Sequence, residues 1–330
     1  MRGLSPDISE NEIIRHYPGI LDVLLSDRST NKNIIWATKD YEKYGPKYNF
    51  DSEIIPELIT RSNGNVIMPR VSKGLPLRNS RSKEMAEVFT PSWICNIQNN
   101  LVDNNWFGRN NVFNTPIKNY TWKTNSEKIT FPTNKSWVDY VQSRRLEIAC
   151  GEAPYIISRY DTTTGKTIDV ENRIGLLDRK LRVVSENALD YEEWIKYSAE
   201  AYMSTYAYEW QGDNLLLSRE AMLVTYIEYH NRNFSKDPSF KELEKIAEII
   251  SWNVWQMDGL KGVVPNSCKS DANTSVNLFG EIELHSTSCL GCDKNLIQKH
   301  NGTYCIIREW QPTPEIQFNC IKFIDTLINI

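Results

Sequence analysis

The sequence predicts an α/β protein built around a mainly parallel sheet covered on both faces, preceded by a small N-terminal α+β segment. Three observations carry this expectation. Short apolar runs alternate with segments whose apolar residues recur at helical spacing, two of the runs end on an acid, and a third breaks into a tight glycine turn. The chain has the material for such a core, since 40% of its 330 residues are hydrophobic.

Taken in order, residues 20–25 and 33–38 are the apolar runs of the N-terminal segment, and no chemistry attaches to them. Polarity rises over residues 61–65 and 73–81, which read as turns or loops and place a boundary near residue 80, between a 1–80 segment and an 81–330 domain. Thr90 suits a helix N-cap and Pro91 the first helical position, with Trp93, Ile94, Ile97 and Leu101 at helical spacing behind them. Leu146-Glu147-Ile148-Ala149-Cys150-Gly151 reads as a buried strand breaking into a glycine turn and a helix start. The spacing over residues 192–204 suits a helix, Tyr206-Ala207-Tyr208-Glu209-Trp210 a strand ending on an acid, and Leu215, Met222, Leu223 and Ile227 further helix. Phe240, Leu243, Ile246 and Ile250 mark another helix, and residues 254–260 another short strand ending on Asp258-Gly259-Leu260.

In a parallel sheet, ligands bind outside the carboxyl ends of the strands, so the informative residues come directly after each apolar run. Here they are Gly151, Glu209 and Asp258. A glycine turn lets the backbone approach a ligand closely, an acid after the next strand can accept from ribose hydroxyls, and an acid after a third can accept from an adenine amino group. Those are the contacts of an adenosine-containing cofactor. Each residue also has a plainer role open to it: Glu147 as an exposed edge position, Cys150 as a buried filler, Asp258 as a turn or cap residue.

Phe89-Thr90-Pro91, the Leu146 to Gly151 run, Glu209-Trp210 and Asp258-Gly259-Leu260, in that order over about residues 81–260, resemble the S-adenosylmethionine half of adenine-amino DNA methyltransferases, the modification subunits of restriction systems. The resemblance implies a Rossmann-like methyltransferase sheet, S-adenosylmethionine as cofactor, and methylation of the exocyclic amine of adenine in DNA. The setting it implies is restriction-modification or phage defence, with a restriction or specificity subunit as partner. By the same resemblance, Phe89, Thr90 and Pro91 touch the methionine end, and Glu147, Ala149, Cys150 and Gly151 line the cofactor turn. Glu209, beside Trp210, holds the ribose, and Asp258, with Gly259 and Leu260, the adenine.

Two departures accompany the match. Gly151 and Glu209 stand 58 residues apart, against about 20 in a simple dinucleotide-binding unit, so residues 160–166 and a helix near 174–184 are read as an insertion. The family's catalytic loop, with two consecutive prolines and an aromatic, is absent, because none of the 14 prolines is adjacent to another. A flipped adenine needs an aromatic ring to stack on and acceptors for its amine. The comparable downstream stretch is residues 304–312, in which Glu309 can accept and Trp310 can stack; the alternative is an edge strand with a surface Glu and a half-buried Trp. A catalytically silent cofactor-binding subunit therefore stands beside the enzyme as a reading.

Cys289-Leu290-Gly291-Cys292, then His300 and Cys305, form a C-x2-C-x7-H-x4-C clip over residues 289–305, with ligand types suited to a structural zinc. Gly291 and Gly302 suit its turns, and Cys268 and His285 are spare donors. Reduced thiols beside a surface His are the alternative, and a zinc-stabilised interaction module without cofactor is the functional rival.

Thirty-eight Lys and Arg against 42 Asp and Glu give a net charge of -4, so contact with DNA must be local or shared with a partner subunit or the N-terminal segment. Arg78, Arg81, Lys83, Arg144 and Arg145 can be phosphate contacts or solvated faces. No apolar run nears the roughly 18 residues of a membrane span, and no signal-like stretch opens the chain, so a cytoplasmic protein without membrane contact is expected.

Overall fold

The computed structural model describes residues 5–84, 87–276, 282–311 and 317–327. Its N-terminal part holds α1 (Glu10–His16), α2 (Ile20–Leu25), a two-residue pairing of β1 (Ser26–Asp27) with β2 (Lys32–Asn33), α3 (Pro56–Ile59) and α4 (Leu75–Glu84). The stretch read as loop at 73–81 is thus largely helix. α4 carries Arg81 into the interior, where it is 1% exposed.

This part shares one hydrophobic core with the later helices and strands. The side chain of Gln256 bonds both backbone groups of Ile35, accepting from its N–H and donating to its carbonyl at 2.9 Å each. Gly212 donates to the Trp36 carbonyl, and a Cβ there would lie 2.1 Å from the Ile35 oxygen, so only glycine admits this approach.

α5 (Ser92–Phe107) comes next, and its burial runs against the apolar spacing. Asn96, Asn99, Asn100 and Asp103 face inward, while Ile97 and Leu101 are 40% and 59% exposed. The buried polar groups are bonded: Asn99 donates to the carbonyls of Tyr155 and Ile174, and Arg179 donates to Asp103, Asn96 and Asn100. The polar face therefore pins two loops, at Tyr155 and Ile174.

The hairpin of β3 (Asn114–Ile117) and β4 (Thr121–Thr124) leads to α6 (Trp137–Gln142), which Ser136 and Asp139 start with a capping box. Then come β5 (Arg145–Glu147), α7 (Leu176–Asn187), α8 (Tyr191–Met203), β6 (Thr205–Glu209), α9 (Gly212–Phe234), α10 (Phe240–Asn253) and β7 (Val254–Gln256). The expected helix directly after the glycine turn does not form. Residues 151–157 are turns, because Ala149, Gly151 and Ala153 all take positive φ (47°, 56° and 56°) and the Glu147 carboxylate accepts the N–H groups of Tyr155 and Ile156.

β5, β6 and β7 form a parallel sheet in that order, with Leu146 opposite Tyr206 and Tyr208 opposite Trp255. The expected alternation is present, on three strands. α9 packs along β6 and β7. The face carrying Tyr206 and Trp255 is covered not by a helix pair but by the antiparallel strands β10 (Ile306–Gln311) and β11 (Gln317–Lys322) with α12 (Phe323–Thr326): Tyr206 donates to the Arg308 carbonyl at 3.0 Å, and Trp255 and Phe323 have ring centroids 5.2 Å apart. Before β10 lie the pair β8 (Asp271–Val276) and β9 (Ile282–Thr287) and the short α11 (Leu290–Lys294). No helix among the described residues is long and apolar enough to cross a membrane.

Candidate functional site

At the carboxyl ends of β5 and β6 lies a cavity of about 690 Å³. Its wall joins three distant segments: Phe89 and Thr90 before α5, Glu147 to Gly151 from the last residue of β5 onward, and Glu209 to Gln211 from the last residue of β6 onward. Parallel pairing explains the meeting, since it sets both strand ends, and hence both acids, on the same rim.

Glu209 is 7% exposed, and its carboxylate accepts the N–H of Gly151 at 2.8 Å and of Gln211 at 3.1 Å. Burial pushes its carboxyl above the ordinary value, although the backbone donors favour the charged form. Glu147 is buried as well, not an exposed edge position, and burial pushes it up to about 8. Burial also raises the Cys150 thiol, whose backbone N–H extends the pairing to the Tyr208 carbonyl, so Cys150 is a structural residue of the turn. Phe89 lies 3.5 Å from where a Gly151 Cβ would stand, and Arg70 sits over its ring at 5.1 Å. Trp210 lines the wall and donates from its indole to the Ala37 carbonyl.

Thr90 is not the helix cap. α5 starts at Ser92 behind Pro91, with no side-chain cap from the preceding residue, and the Ser92 N–H is taken by the Asp161 carboxylate at 2.7 Å. Burial would raise Asp161, but hydrogen bonds from Thr163, Ser92 and Thr164 outweigh it and hold the group down at about 2. Thr90 faces the cavity, whereas Pro91 stands outside its wall.

Asp258, Gly259 and Leu260 also stand outside the wall. Asp258 heads a tight turn: its backbone N–H and carbonyl bond Val263 and Gly262, and its carboxylate accepts the Leu260 N–H at 3.1 Å and pairs with Lys261 at 3.3 Å. Its chemistry is that of a turn cap, and Leu260 is 91% exposed. Glu309 and Trp310 lie at the other end of the sheet. Glu309 accepts from Arg144, the residue just before β5, at 3.0 Å. Trp310 is buried, donates to Asn253 at 2.7 Å and shares a cavity wall with Arg144 and Ser204, which precede β5 and β6. The length of β6, about 3.3 Å per residue, separates them from the acid-lined cavity, so their assignment to an adenine there is corrected.

Beneath the cavity is an ionic cluster that the sequence did not reveal. Asp213, fully buried in the first turn of α9, accepts from Lys73 at 2.8 Å, from Tyr41 at 2.7 Å and from both terminal nitrogens of Arg81 at 2.8 and 2.9 Å. Arg81 also donates to Gln211 and pairs with Glu87, which Asn214 bonds in turn. Burial alone would raise the Asp213 carboxyl; the Arg81 and Lys73 charges outweigh it and hold it far below the carboxylate range. Arg81 is therefore neither a phosphate contact nor a solvated side chain. An acid in the first turn of a helix is readable from sequence, but its partners, 132 and 140 residues away, are not.

A second cluster has metal-ligating chemistry. The donor atoms of Cys268, Cys289, Cys292 and His300 all lie within 4.8 Å of one another. The three sulfurs stand 3.5, 3.6 and 3.6 Å from Nδ1 of His300; with zinc bond lengths of about 2.3 Å to sulfur and 2.1 Å to nitrogen, a tetrahedral centre requires about 3.6 Å. Cys268 takes the place assigned to Cys305. The Cys305 side chain is fully buried beneath the sheet and donates to the Gln256 carbonyl at 3.3 Å. The hairpin explains the exchange: Asp271 pairs with Thr287, so residues just outside its two ends, Cys268 and Cys289, are brought together. The side chain of His285, on β9, lies outside the described residues.

Both glycines of this clip serve close approach rather than an unusual φ. A Cβ at Gly291 would lie 2.6 Å from His300, and one at Gly302 would lie 2.6 Å from Ser267 and 2.9 Å from the Cys268 nitrogen. The Asn301 N–H donates to the Cys289 sulfur at 3.3 Å, the His300 N–H donates to Tyr304, and Asn301 bonds both backbone groups of Lys269. These outer contacts fix the ligands in place.

Compared with protein-family models, curated proteins and solved structures, the chain matches none. The functional reading rests on the two sites themselves.

Proposed function

We propose that this chain binds S-adenosylmethionine in the cavity at the ends of β5 and β6 and serves adenine-amino DNA methylation in a cytoplasmic restriction-modification or phage-defence system, alongside a restriction or specificity subunit. One observation carries the reading: Phe89-Thr90, the Glu147 to Gly151 turn and Glu209, separated by up to about 120 residues of chain, meet around a single cavity. Its volume of about 690 Å³ suits a cofactor of nucleoside size. Glu209 is the acceptor for ribose hydroxyls, with lone pairs left beside the Gly151 and Gln211 bonds. The Gly151 turn admits close approach, and Phe89 and Trp210 give the wall apolar surface. When bound, the cofactor supplies an electrophilic methyl group; the residues named bind and orient it. Cys268, Cys289, Cys292 and His300 hold a structural zinc, a set that leaves no open position for catalysis.

A second reading, a subunit that holds the cofactor without methylating, is favoured by the position of Glu309 and Trp310 at the opposite end of the sheet. Calorimetric titration of the full chain with S-adenosylmethionine, beside Glu209→Ala, tests the cofactor site. Binding that weakens at least tenfold in the variant is expected; absence of binding in the folded, cofactor-free chain overturns the reading. Transfer of labelled methyl to DNA then separates enzyme from silent subunit.

A further inference from the structure

We propose that the groove beneath the β3–β4 hairpin receives an unpaired base of a DNA strand. The choice of DNA as ligand rests on the cofactor reading above; the groove rests on its own geometry. It is a second cavity, of about 390 Å³, lined by Trp93, Tyr120, Trp122, Asp161, Lys166 and Asp169 among others. It adjoins the first. Thr90 lines one and Ser92 the other, and both are tied to the same loop, by the bond from the Ser92 N–H to Asp161 and that from the Thr162 hydroxyl to the Thr90 carbonyl at 3.2 Å.

The groove is aromatic and held in place. Trp93 and Tyr120 have ring centroids 4.5 Å apart at 36°, so Tyr120 packs over Trp93 and keeps its outer face free, and the Trp122 indole donates to the Asn172 carbonyl at 2.9 Å. Tyr120 is 70% exposed and sits at φ 57°, a left-handed conformation that a bulky side chain rarely adopts, next to Asn119 at φ 64°. The turn thus presents a strained, exposed aromatic toward solvent instead of burying it. Asp169, exposed on the wall, offers acceptors to an exocyclic amine. Asp161 is already engaged by its own loop. Lys166 on the wall and Lys118 and Lys123 on the hairpin are exposed cations for backbone phosphates. A stacking face, an amine acceptor and flanking cations are what an unstacked base requires.

α5 also exposes Ile97 and Leu101 at i+4 and i+8 from Trp93, so a protein partner is the competing occupant. A base stacked on Tyr120, with Trp93 supporting the ring from behind, does not need those two residues, whereas a docked helix or strand does.

The test is titration of the full chain with a single-stranded DNA oligonucleotide carrying 2-aminopurine, read by its fluorescence. Wild type, Tyr120→Ala, Trp93→Ala and Leu101→Asp are compared, and S-adenosylmethionine binding is measured on each. Tyr120→Ala is expected to weaken oligonucleotide binding roughly tenfold, the effect of one lost stack, and to relieve quenching, with cofactor affinity unchanged and Leu101→Asp behaving as wild type. Because the Tyr120 side chain is exposed, its removal leaves the fold intact. The proposal is overturned if the chain fails to bind the oligonucleotide, if both aromatic variants bind as wild type, or if Leu101→Asp abolishes binding. Tyr120-dependent base binding without cofactor binding leaves the groove standing and removes the cofactor reading. Cofactor binding with an oligonucleotide indifferent to Tyr120 does the reverse.

Discussion

Cys268→Ser is the most informative single change at the metal cluster, because it separates the ligand set seen in the fold from the one suggested by spacing along the chain. Structural zinc is bound with about 10 to 16 kcal/mol at neutral pH. Shared over the four donors of this cluster, that is about 2.5 to 4 kcal/mol for each, so replacing one thiolate with a weakly ligating hydroxyl lowers zinc affinity roughly 10²- to 10³-fold. Cys305→Ser is the control. Its thiol is buried in the core, away from the cluster, and its loss disturbs packing and the bond to the Gln256 carbonyl without removing a donor. The assay is metal content of the purified chain by mass spectrometry, followed by competition with a chromophoric chelator. One zinc per chain is expected in the wild type and in Cys305→Ser, with the chelator stripping Cys268→Ser at far lower concentration. Full zinc retention in Cys268→Ser together with its loss in Cys305→Ser would refute the tetrahedral argument, as would a wild type that takes up no metal.

Asp213→Asn leaves the buried Arg81 and Lys73 charges without their counter-ion and should cost about 3 to 5 kcal/mol; a denaturant midpoint shift worth less than about 1 kcal/mol would show that the cluster is not a structural anchor. Glu147 should make stability fall as pH rises: its folded-state value of about 8 lies above the ordinary 4.5, so its contribution is full below 4.5, declines as the unfolded chain ionises first, and is gone above about 8. That interval corresponds to roughly 4 to 5 kcal/mol, and Glu147→Gln should flatten the stability profile there; equal slopes for both proteins in urea melts between about pH 5 and 8 would contradict it. Glu309→Gln removes a partly exposed pair with Arg144 and should cost no more than about 1 kcal/mol while leaving cofactor titration unchanged; a large loss of cofactor affinity would restore Glu309 to the site.

Much of the architecture was legible because its signals are local. Phe240, Leu243, Ile246 and Ile250, at helical spacing, mark α10, and the apolar runs of β5 and β6 end in residues that line the cavity. The same locality misled over α5, where apolar spacing pointed to the wrong face. Its asparagines are buried because loops at residues 155 and 174 offer carbonyls to them and Arg179 offers its guanidinium, partners that no helical periodicity records.

By itself, then, the sequence determined the order of strand and helix over residues 192–256, the acid that ends β6, the tight turn at Gly151, and the Cys-x2-Cys knuckle with His300, since each depends on neighbours a few residues apart. Only the tertiary structure decided that Asp258 stands outside the cavity wall, that Glu309 and Trp310 sit at the far end of the sheet, that Cys268 and not Cys305 completes the thiolate cluster, and that Arg81 lies buried against Asp213. Each of those outcomes depends on strand direction or on pairing between residues far apart in the chain. Spacing along the chain contains neither.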